Sequence, residues 1–108
     1  MSAPIVVLTN TPTQMEALDI GEEAVASGLA AAVQVFGPSR SVYLWRGETR
    51  RTEEWVCAIK TTEGRFEKVK DLVRARHPYE LPAVFAVPVV AGSEDYLAWW
   101  RSAGDPDS

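Results

Sequence analysis

The sequence predicts an α+β fold in which two helices cover one face of an antiparallel sheet. Apolar, β-branched runs alternate with amphipathic helical segments in the order β-α-β-β(β)-α-β-α. The composition, 46% hydrophobic and 24% charged, is close to that of an average globular protein. Since the chain has 108 residues and no abrupt change in composition, we expect a single domain over residues 1–108.

An aliphatic run and a helix-start signal mark the first strand and the first helix. Ile5–Leu8 is aliphatic throughout and mostly β-branched, which is typical of a buried central strand. Thr11-Pro12-Thr13-Gln14 fits a capping box with proline at the first helical position. We expect a helix over residues 12–27, followed by Gly28 in a left-handed conformation. Its core-facing stripe consists mainly of small residues, namely Ala17, Leu18, Gly21, Ala24 and Val25.

Three further strands are predicted in the middle of the chain. Ala30–Phe36 is almost entirely apolar, and Ser41–Arg46 alternates large side chains between its two faces. Gly37-Pro38-Ser39 is typical of a turn, so these two runs could pair as a hairpin, and Thr52–Lys60 forms the next strand. The strands are apolar on both faces, and a chain this short hardly supplies helices for both. A second copy of the chain is therefore expected to bury the rest.

The second half of the chain predicts a helix, an edge strand and a short final helix. Thr62-Glu63 opens the second helix and Pro78 ends it. The last strand covers about Ala83–Val90, and its proline makes it an edge strand because proline cannot donate to the ladder. Ser93-Glu94-Asp95 caps the final helix. The polar tail over residues 104–108 is expected to fray.

This order of elements is the split β-α-β arrangement of ferredoxin-like folds. The fold hosts metal carriers, RNA-recognition modules, acyl phosphatases and regulatory trimers, so topology alone leaves function open. The net charge of −4 provides no basic field for nucleic acid or anionic membranes. The first ten residues lack a basic segment and a sufficiently long apolar run for a signal peptide or membrane span, so a cytoplasmic location is expected.

One cysteine and one histidine restrict the metal sites that a single chain can form. Cys57 cannot form an internal disulfide, and with His77 alone no Cys/His zinc cage is available. His77 and Glu80 are the one local imidazole–carboxylate pair, which would suit zinc or copper(II) completed by water or a neighbouring subunit. The alternative is structural: His77 caps the helix and Glu80 binds a nearby amide or lysine.

Two aromatic side chains and a lysine are further candidates for a binding surface. Tyr43 and Trp45 alternate on one strand face, where large aromatic residues are more typical of a core or subunit interface than of a ligand cleft. Lys60 ends an apolar strand just before a helix, so it could meet an anion beside the free amides of Thr61 and Thr62. It could equally be a solvated strand end or form a salt bridge to another subunit.

Five short strings occur in the order that is usual for the CutA family of divalent-cation tolerance proteins. They are Leu29-Ala30-Ala31, Ser41-x-Tyr43-x-Trp45-x-Gly47, Glu54 with Lys60-Thr61-Thr62, His77-Pro78-Tyr79-Glu80-x-Pro82, and Tyr96-Leu97-x-Trp99. The sequence resembles this family over about Ile5–Trp100. The resemblance implies a ferredoxin-like homotrimer, similar in build to the PII signalling proteins, with clefts between subunits and a role in tolerance of copper and other divalent cations.

The chain departs from the family pattern at two metal-binding positions. Ala32 replaces the cysteine of the usual Leu-Ala-Ala-Cys string, which removes the thiolate proposed as a soft copper ligand. Ala83 replaces the glutamate that often follows the histidine string, so one carboxylate is missing as well. A copper site of the form proposed for the family therefore lacks two ligands in this chain.

The leading interpretation is a non-catalytic homotrimer that binds a metal ion or small ligand in its intersubunit clefts. The metal candidates are His77 and Glu80, and the expected cleft or interface residues are Tyr43, Trp45, Lys60, Tyr79 and Trp99. An acyl phosphatase would need a phosphate-cradling loop with an arginine after the first strand, and Leu8–Pro12 has neither glycine nor arginine. The third class is a trimeric scaffold that anchors a partner protein, through the edge strand or Trp99-Trp100, without binding metal.

Overall fold

The computed structural model describes residues 2–103, so the predicted polar tail lies outside the described residues. The elements are β1 (Pro4–Thr11), α1 (Gln14–Ala26), β2 (Ala32–Trp45), β3 (Glu48–Thr62), α2 (Phe66–Arg76), β4 (Phe85–Pro88) and α3 (Glu94–Ala103). The strands form one antiparallel sheet in the order β2-β3-β1-β4. The predicted α+β, ferredoxin-like arrangement is confirmed.

The core lies between the sheet and helices α1 and α2. Side chains alternate between the faces of a strand, and the register places Val7 of β1 opposite Ile59 of β3 on the helix-facing side. Both are fully buried against residues of the two helices, such as Ile20 and Val69. Each of these side chains contributes about 1.5–3 kcal/mol by leaving water.

Helix α1 begins two residues later than predicted, and the assigned capping box is wrong. Thr11 is the last residue of β1, where its hydroxyl donates to the Thr13 carbonyl at 2.7 Å. The cap is Thr13, whose Oγ1 accepts from the Glu16 amide at 3.2 Å and donates to the Glu16 carboxylate at 2.7 Å. The N-cap is thus Thr13 instead of Thr11, because pairing with β3 extends β1 up to Thr11.

The buried stripe of α1 differs from the prediction in its largest members. Leu18 and Val25 are 38% and 44% exposed, whereas Ile20 is fully buried. The later start of α1 does not explain this difference. The buried face depends only on which side of α1 packs against the sheet. Gly28 has the predicted positive φ, at 78°, after the last turn.

The middle of the chain forms one long hairpin where the sequence predicted three strands. Gly37-Pro38 forms a bulge within β2, between Phe36, which pairs with Val56, and Ser39, which pairs with Glu54. The turn expected at Gly37-Pro38-Ser39 is therefore absent. The hairpin turns instead at Arg46-Gly47, where both residues have positive φ as in the favoured two-residue turns. The outer part of this hairpin, residues 39–54, is called the arm below.

The short β4 and helix α3 complete the sheet. Strand β4 has four residues and lies at the sheet edge beside β1, which confirms the predicted edge position. Helix α3 lies on the face opposite α1 and α2, where the indole of Trp100 is buried and donates to the Thr61 carbonyl at 2.8 Å. None of the helices among the described residues is long and apolar enough to span a membrane.

Much of the second face stays open in the described chain. Phe36 and Phe85 lie on this face and are 54% and 52% exposed, respectively. On the arm, Val42 and Leu44 lie on the same side of the sheet as the core, yet they are 64% and 73% exposed. Helices α1 and α2 thus leave the arm uncovered, and α3 covers only one end of the other face.

We predict that Gly21→Ala lowers the free energy of unfolding. A Cβ at this position would lie 2.6 Å from Cγ1 of Val33, a stiff side chain on β2, so α1 has to move away from the sheet. Overpacking of this kind costs about 1–3 kcal/mol, partly offset by the better helix propensity of alanine. Denaturant unfolding at fixed protein concentration measures the change.

The matched control is Val33→Ala, alone and combined with Gly21→Ala. The smaller side chain makes room for the new Cβ, so the double variant is expected to be more stable than the sum of the single changes by about 0.5 kcal/mol or more. Strictly additive losses would show that the contact between α1 and β2 is not limiting.

Candidate ligand-binding site

A cleft of about 800 Å³ opens where the arm meets the end of β1 and the segment after α2. Its lining combines aromatic, charged and apolar side chains, namely Asn10, Ser41, Val42, Tyr43, Trp45, Arg50, Glu54, Tyr79, Glu80, Leu81, Pro82 and Ala83. The bulge in β2 lies next to the residue paired with Glu54, and bulges of this kind redirect a strand beside a binding site. The arm is thereby part of one wall.

His77 fixes the segment that forms the opposite wall. It is the C-cap of α2, and its amide donates to the Val73 carbonyl at 2.9 Å. The Tyr79 amide donates to Nδ1 at 3.1 Å, while Nε2 lies 2.5 Å from the Asn10 carbonyl oxygen. Since Nδ1 accepts, Nε2 carries the proton and donates to Asn10. Both ring nitrogens therefore bind main chain, which ties β1 to Tyr79.

Tyr79 and Glu54 form a partly buried polar contact in the cleft. The Tyr79 hydroxyl donates to Oε2 of Glu54 at 2.9 Å, and Glu54 is only 5% exposed. Burial, together with the hydrogen bond and charge of Glu54, raises the pKa of Tyr79 to about 12. The phenol therefore stays protonated and remains a hydrogen-bond donor at physiological pH.

Glu80 lies at the mouth of the cleft and pairs with the tip of the arm. Its Oε2 is 3.3 Å from a guanidinium nitrogen of Arg46, and both side chains are exposed. An exposed pair of this kind contributes little stability. The Arg46 guanidinium also lies over the Trp45 ring, 5.3 Å from its centroid. Arg46 thus links the arm to the segment after α2.

Lys60 and Trp99 lie away from this cleft. Lys60 is six residues from Glu54 along β3, a separation of about 20 Å in an extended strand. Its ammonium donates to the Tyr96 hydroxyl at 2.8 Å and lies 5.5 Å from the Trp100 ring centroid. Trp99 stacks on Tyr96 at 5.5 Å between centroids and is 45% exposed. In one protomer, Lys60 is therefore enclosed by the aromatic residues of α3.

The predicted site residues thus divide into two groups. Tyr43, Trp45, Tyr79 and Glu80 meet in the cleft, whereas Lys60 and Trp99 belong to the α3 end of the sheet. The predicted metal pair does not converge, because His77 binds main chain through both nitrogens and Glu80 faces Arg46. Among residues 2–103, no group of three or more His, Cys, Asp or Glu is placed to hold a metal ion.

Sequence reasoning missed Glu54, Asn10 and Arg50 as residues of the cleft. Glu54 belongs to one of the strings that resemble the CutA family. It is an odd number of residues from Cys57 and Ile59 along β3, so its side chain lies on the face opposite the core. Its burial could not be read from the sequence, because the adjacent Glu53 is exposed. Cys57 offers no replacement thiolate, since burial raises its pKa to about 12.

We predict that Glu54→Gln lowers the pKa of Tyr79 from about 12 toward the ordinary value of 10, because it removes a neighbouring negative charge. Burial still acts on the phenol, so the return is partial. Phenolate absorbance reports the titration, and Tyr79→Phe identifies its signal among the three tyrosines. Glu53→Gln is the control and leaves this signal unchanged.

The same pair makes stability depend on pH in a defined direction. The unfolded chain releases the Tyr79 proton near pH 10, while the folded protein keeps it up to about pH 12. The free energy of unfolding therefore falls as pH rises through this window, and the contribution is intact below it. A wild-type pH profile identical to that of Tyr79→Phe would contradict the assignment.

Comparison with known proteins agrees with this fold over almost the whole chain. The family model described as CutA1 divalent ion tolerance protein matches residues 5–103. The divalent-cation tolerance protein CutA of Thermus thermophilus is 38% identical over 96 residues, which cover 89% of this chain and 93% of that protein.

Solved structures give the same result. The divalent cation tolerance protein Cut A1 from Thermus thermophilus superposes with a TM-score of 0.90 at 36% identity, covering 93% of this chain and 97% of that chain. A periplasmic divalent cation tolerance protein CutA from Archaeoglobus fulgidus gives a TM-score of 0.90 at 28% identity, covering 94% and 99%. The chain therefore belongs to the CutA family of divalent-cation tolerance proteins.

Proposed function

We propose that the protein is a non-catalytic homotrimer that binds a divalent cation or small ligand in clefts between its subunits. Its role would be tolerance of, or response to, divalent cations such as copper. Membership of the CutA family supports this role, and the family description names ion tolerance and no reaction. The observation that carries the proposal is that both edges of the sheet, β2 and β4, are open in the described protomer.

Strands β2 and β4 are the two edges of the sheet. Each edge presents a row of backbone groups without a strand partner in the described protomer, which is a template for pairing with another chain. Pairing of the β2 edge of one copy with the β4 edge of the next uses two different surfaces, and such heterologous contacts form a ring when the rotation between copies closes. The exposed Val42 and Leu44 on the arm support this contact, since clustered exposed apolar side chains mark interfaces.

A trimer would also complete the cleft. The arm forms one wall of the cleft and also carries the β2 edge, so a neighbouring subunit would approach beside the opening. The expected grouping of Trp99 with Tyr43, Trp45 and Tyr79 would then occur across a subunit boundary. Lys60 would keep its contact with Tyr96 of its own protomer.

A divalent cation would need ligands from more than one subunit. The described residues of one protomer contain no cluster of three suitable ligands, and both nitrogens of His77 bind main chain. A metal at His77 and Glu80 would have to replace one of these contacts and separate Glu80 from Arg46. Metal binding within a single protomer therefore fits poorly, and we place any such site between subunits.

The alternative is a trimeric scaffold that anchors a partner protein without metal. The observation in its favour is Trp99, which is 45% exposed and held by stacking on Tyr96. Exposed, ordered aromatic side chains are typical anchors of protein interfaces. Retention of a partner by the wild-type trimer and its loss with Trp99→Ala would favour this function over ion binding.

We also propose a cytoplasmic location. A relative from Archaeoglobus fulgidus is described as periplasmic, so the compartment needs a direct test. Fractionation of cells that produce the full-length protein distinguishes the two.

We predict that light scattering gives a mass about three times 11.9 kDa and that Leu44→Lys lowers it. Leu44 is 73% exposed on the arm, and a lysine there places a charge in the proposed contact. Leu18→Lys is the matched control, because Leu18 is exposed on α1, away from both sheet edges. It is expected to remain trimeric.

Titration of the same samples with zinc(II) tests the function. Saturable uptake is expected from the wild-type trimer, with loss in both His77→Ala and the dissociated Leu44→Lys variant. Equal uptake by trimer and monomer would contradict a site between subunits. A wild-type monomer in solution would overturn the proposed assembly.

A further inference from the structure

Glu54 is a buried carboxylate without a cationic partner in the described protomer. It is 5% exposed, and its hydrogen-bond donor is the neutral hydroxyl of Tyr79 at 2.9 Å. No lysine, arginine or histidine among residues 2–103 forms an ion pair with it. A charge removed from water is costly unless a partner of opposite sign compensates it. The cleft is therefore prepared for a positively charged group at Glu54.

The remaining lining indicates what kind of cation fits. An alkylammonium group has three donors and is attracted to the faces of aromatic rings. Tyr43 and Tyr79 line the same cleft as Glu54, and the amide side chain of Asn10 is a further neutral neighbour. A carboxylate bordered by aromatic side chains is thus better matched to an organic ammonium ion than to a small inorganic cation.

A metal ion would need several ligands, but Glu54 is the one carboxylate of the cleft that is not already paired with a cation in the described chain. Oε2 of Glu54 is already engaged by Tyr79, and Glu80 pairs with Arg46. No group of three His, Cys, Asp or Glu is assembled in the part of the chain that the structure describes. An ammonium ion needs only one strong acceptor and weaker neighbours, so it avoids this shortage.

We propose that this cleft binds a small organic molecule whose primary ammonium group donates to Glu54, with Tyr79 holding the carboxylate in position. The inference rests on the ligand-binding cleft of the proposed function and names the chemical class of its ligand. Arg50 lines the same cleft, so a carboxylate on the ligand would gain a second charged contact. Diamines and amino acids share the ammonium group and differ at this second end.

Isothermal titration and thermal shift with putrescine, γ-aminobutyrate and succinate distinguish diamines from amino acids as ligands. All three probes have four carbons. Putrescine carries two ammonium groups, γ-aminobutyrate one ammonium and one carboxylate, and succinate two carboxylates. Binding by putrescine and γ-aminobutyrate, but not by succinate, is expected, with the melting temperature rising as each ligand saturates. Tighter binding of γ-aminobutyrate assigns the second contact to Arg50, and tighter binding of putrescine assigns the cleft to diamines.

Variants of the carboxylate locate the contact. Glu54→Gln keeps the size of the side chain and an acceptor for Tyr79 but removes the charge, so affinity for the ammonium probes falls about tenfold or more. Glu54→Asp keeps the charge but withdraws it by one methylene, and affinity falls as well. Glu53→Gln changes the adjacent exposed carboxylate and leaves affinity unchanged.

Failure of the inference is distinguishable from failure of the proposed function. Absence of binding by both ammonium probes, or unchanged affinity in Glu54→Gln, overturns the ammonium site. Light scattering on the same samples reports the assembly separately. A trimer that takes up zinc(II) but no ammonium probe keeps the proposed function and rejects this inference. A monomer that binds putrescine through Glu54 keeps this inference and rejects the proposed trimeric function.

Discussion

The alternation of side chains along β3 is the constraint on which the rest of the structure depends. This strand pairs with β1 on one side and β2 on the other, so neither of its edges is free. On one face, Cys57 and Ile59 are fully buried beneath α1 and α2. On the opposite face, Glu54 and Lys60 lie at separate polar positions about 20 Å apart. A register shift of one residue would exchange core and cleft.

Covering only one face of the sheet leaves the molecule with open surfaces that its own helices cannot bury. Helix α3 shields the Lys60 end of the second face, while Phe36 and Phe85 remain exposed there. The arm carries exposed apolar side chains outward, and both sheet edges lack a strand partner in the described chain. The proposed self-association and the proposed ligand binding would both use the arm, because the arm forms the β2 edge and a wall of the cleft.

The sequence was sufficient for the order of elements but not for their lengths. Aliphatic runs and helical spacing identified the strands and helices, whereas Glu48-Thr49-Arg50-Arg51 looked like a loop and forms the start of β3 through cross-strand pairing. Four of the candidate residues, Tyr43, Trp45, Tyr79 and Glu80, line one cleft in the structure. Glu54 was missed because its burial depends on residues distant in sequence, such as Tyr79 from the segment after α2, which no local pattern indicates.

Hydrogen exchange of the β2 edge tests most directly the claim that the open edges pair between copies. In an isolated protomer, the amides of residues 39–45 that point away from β3 have no strand partner and exchange quickly. We expect wild-type protein to protect these amides and those on the free side of β4, and Leu44→Lys to lose that protection while β1 and β3 keep theirs. Rapid exchange at both edges of the wild-type protein would contradict the account.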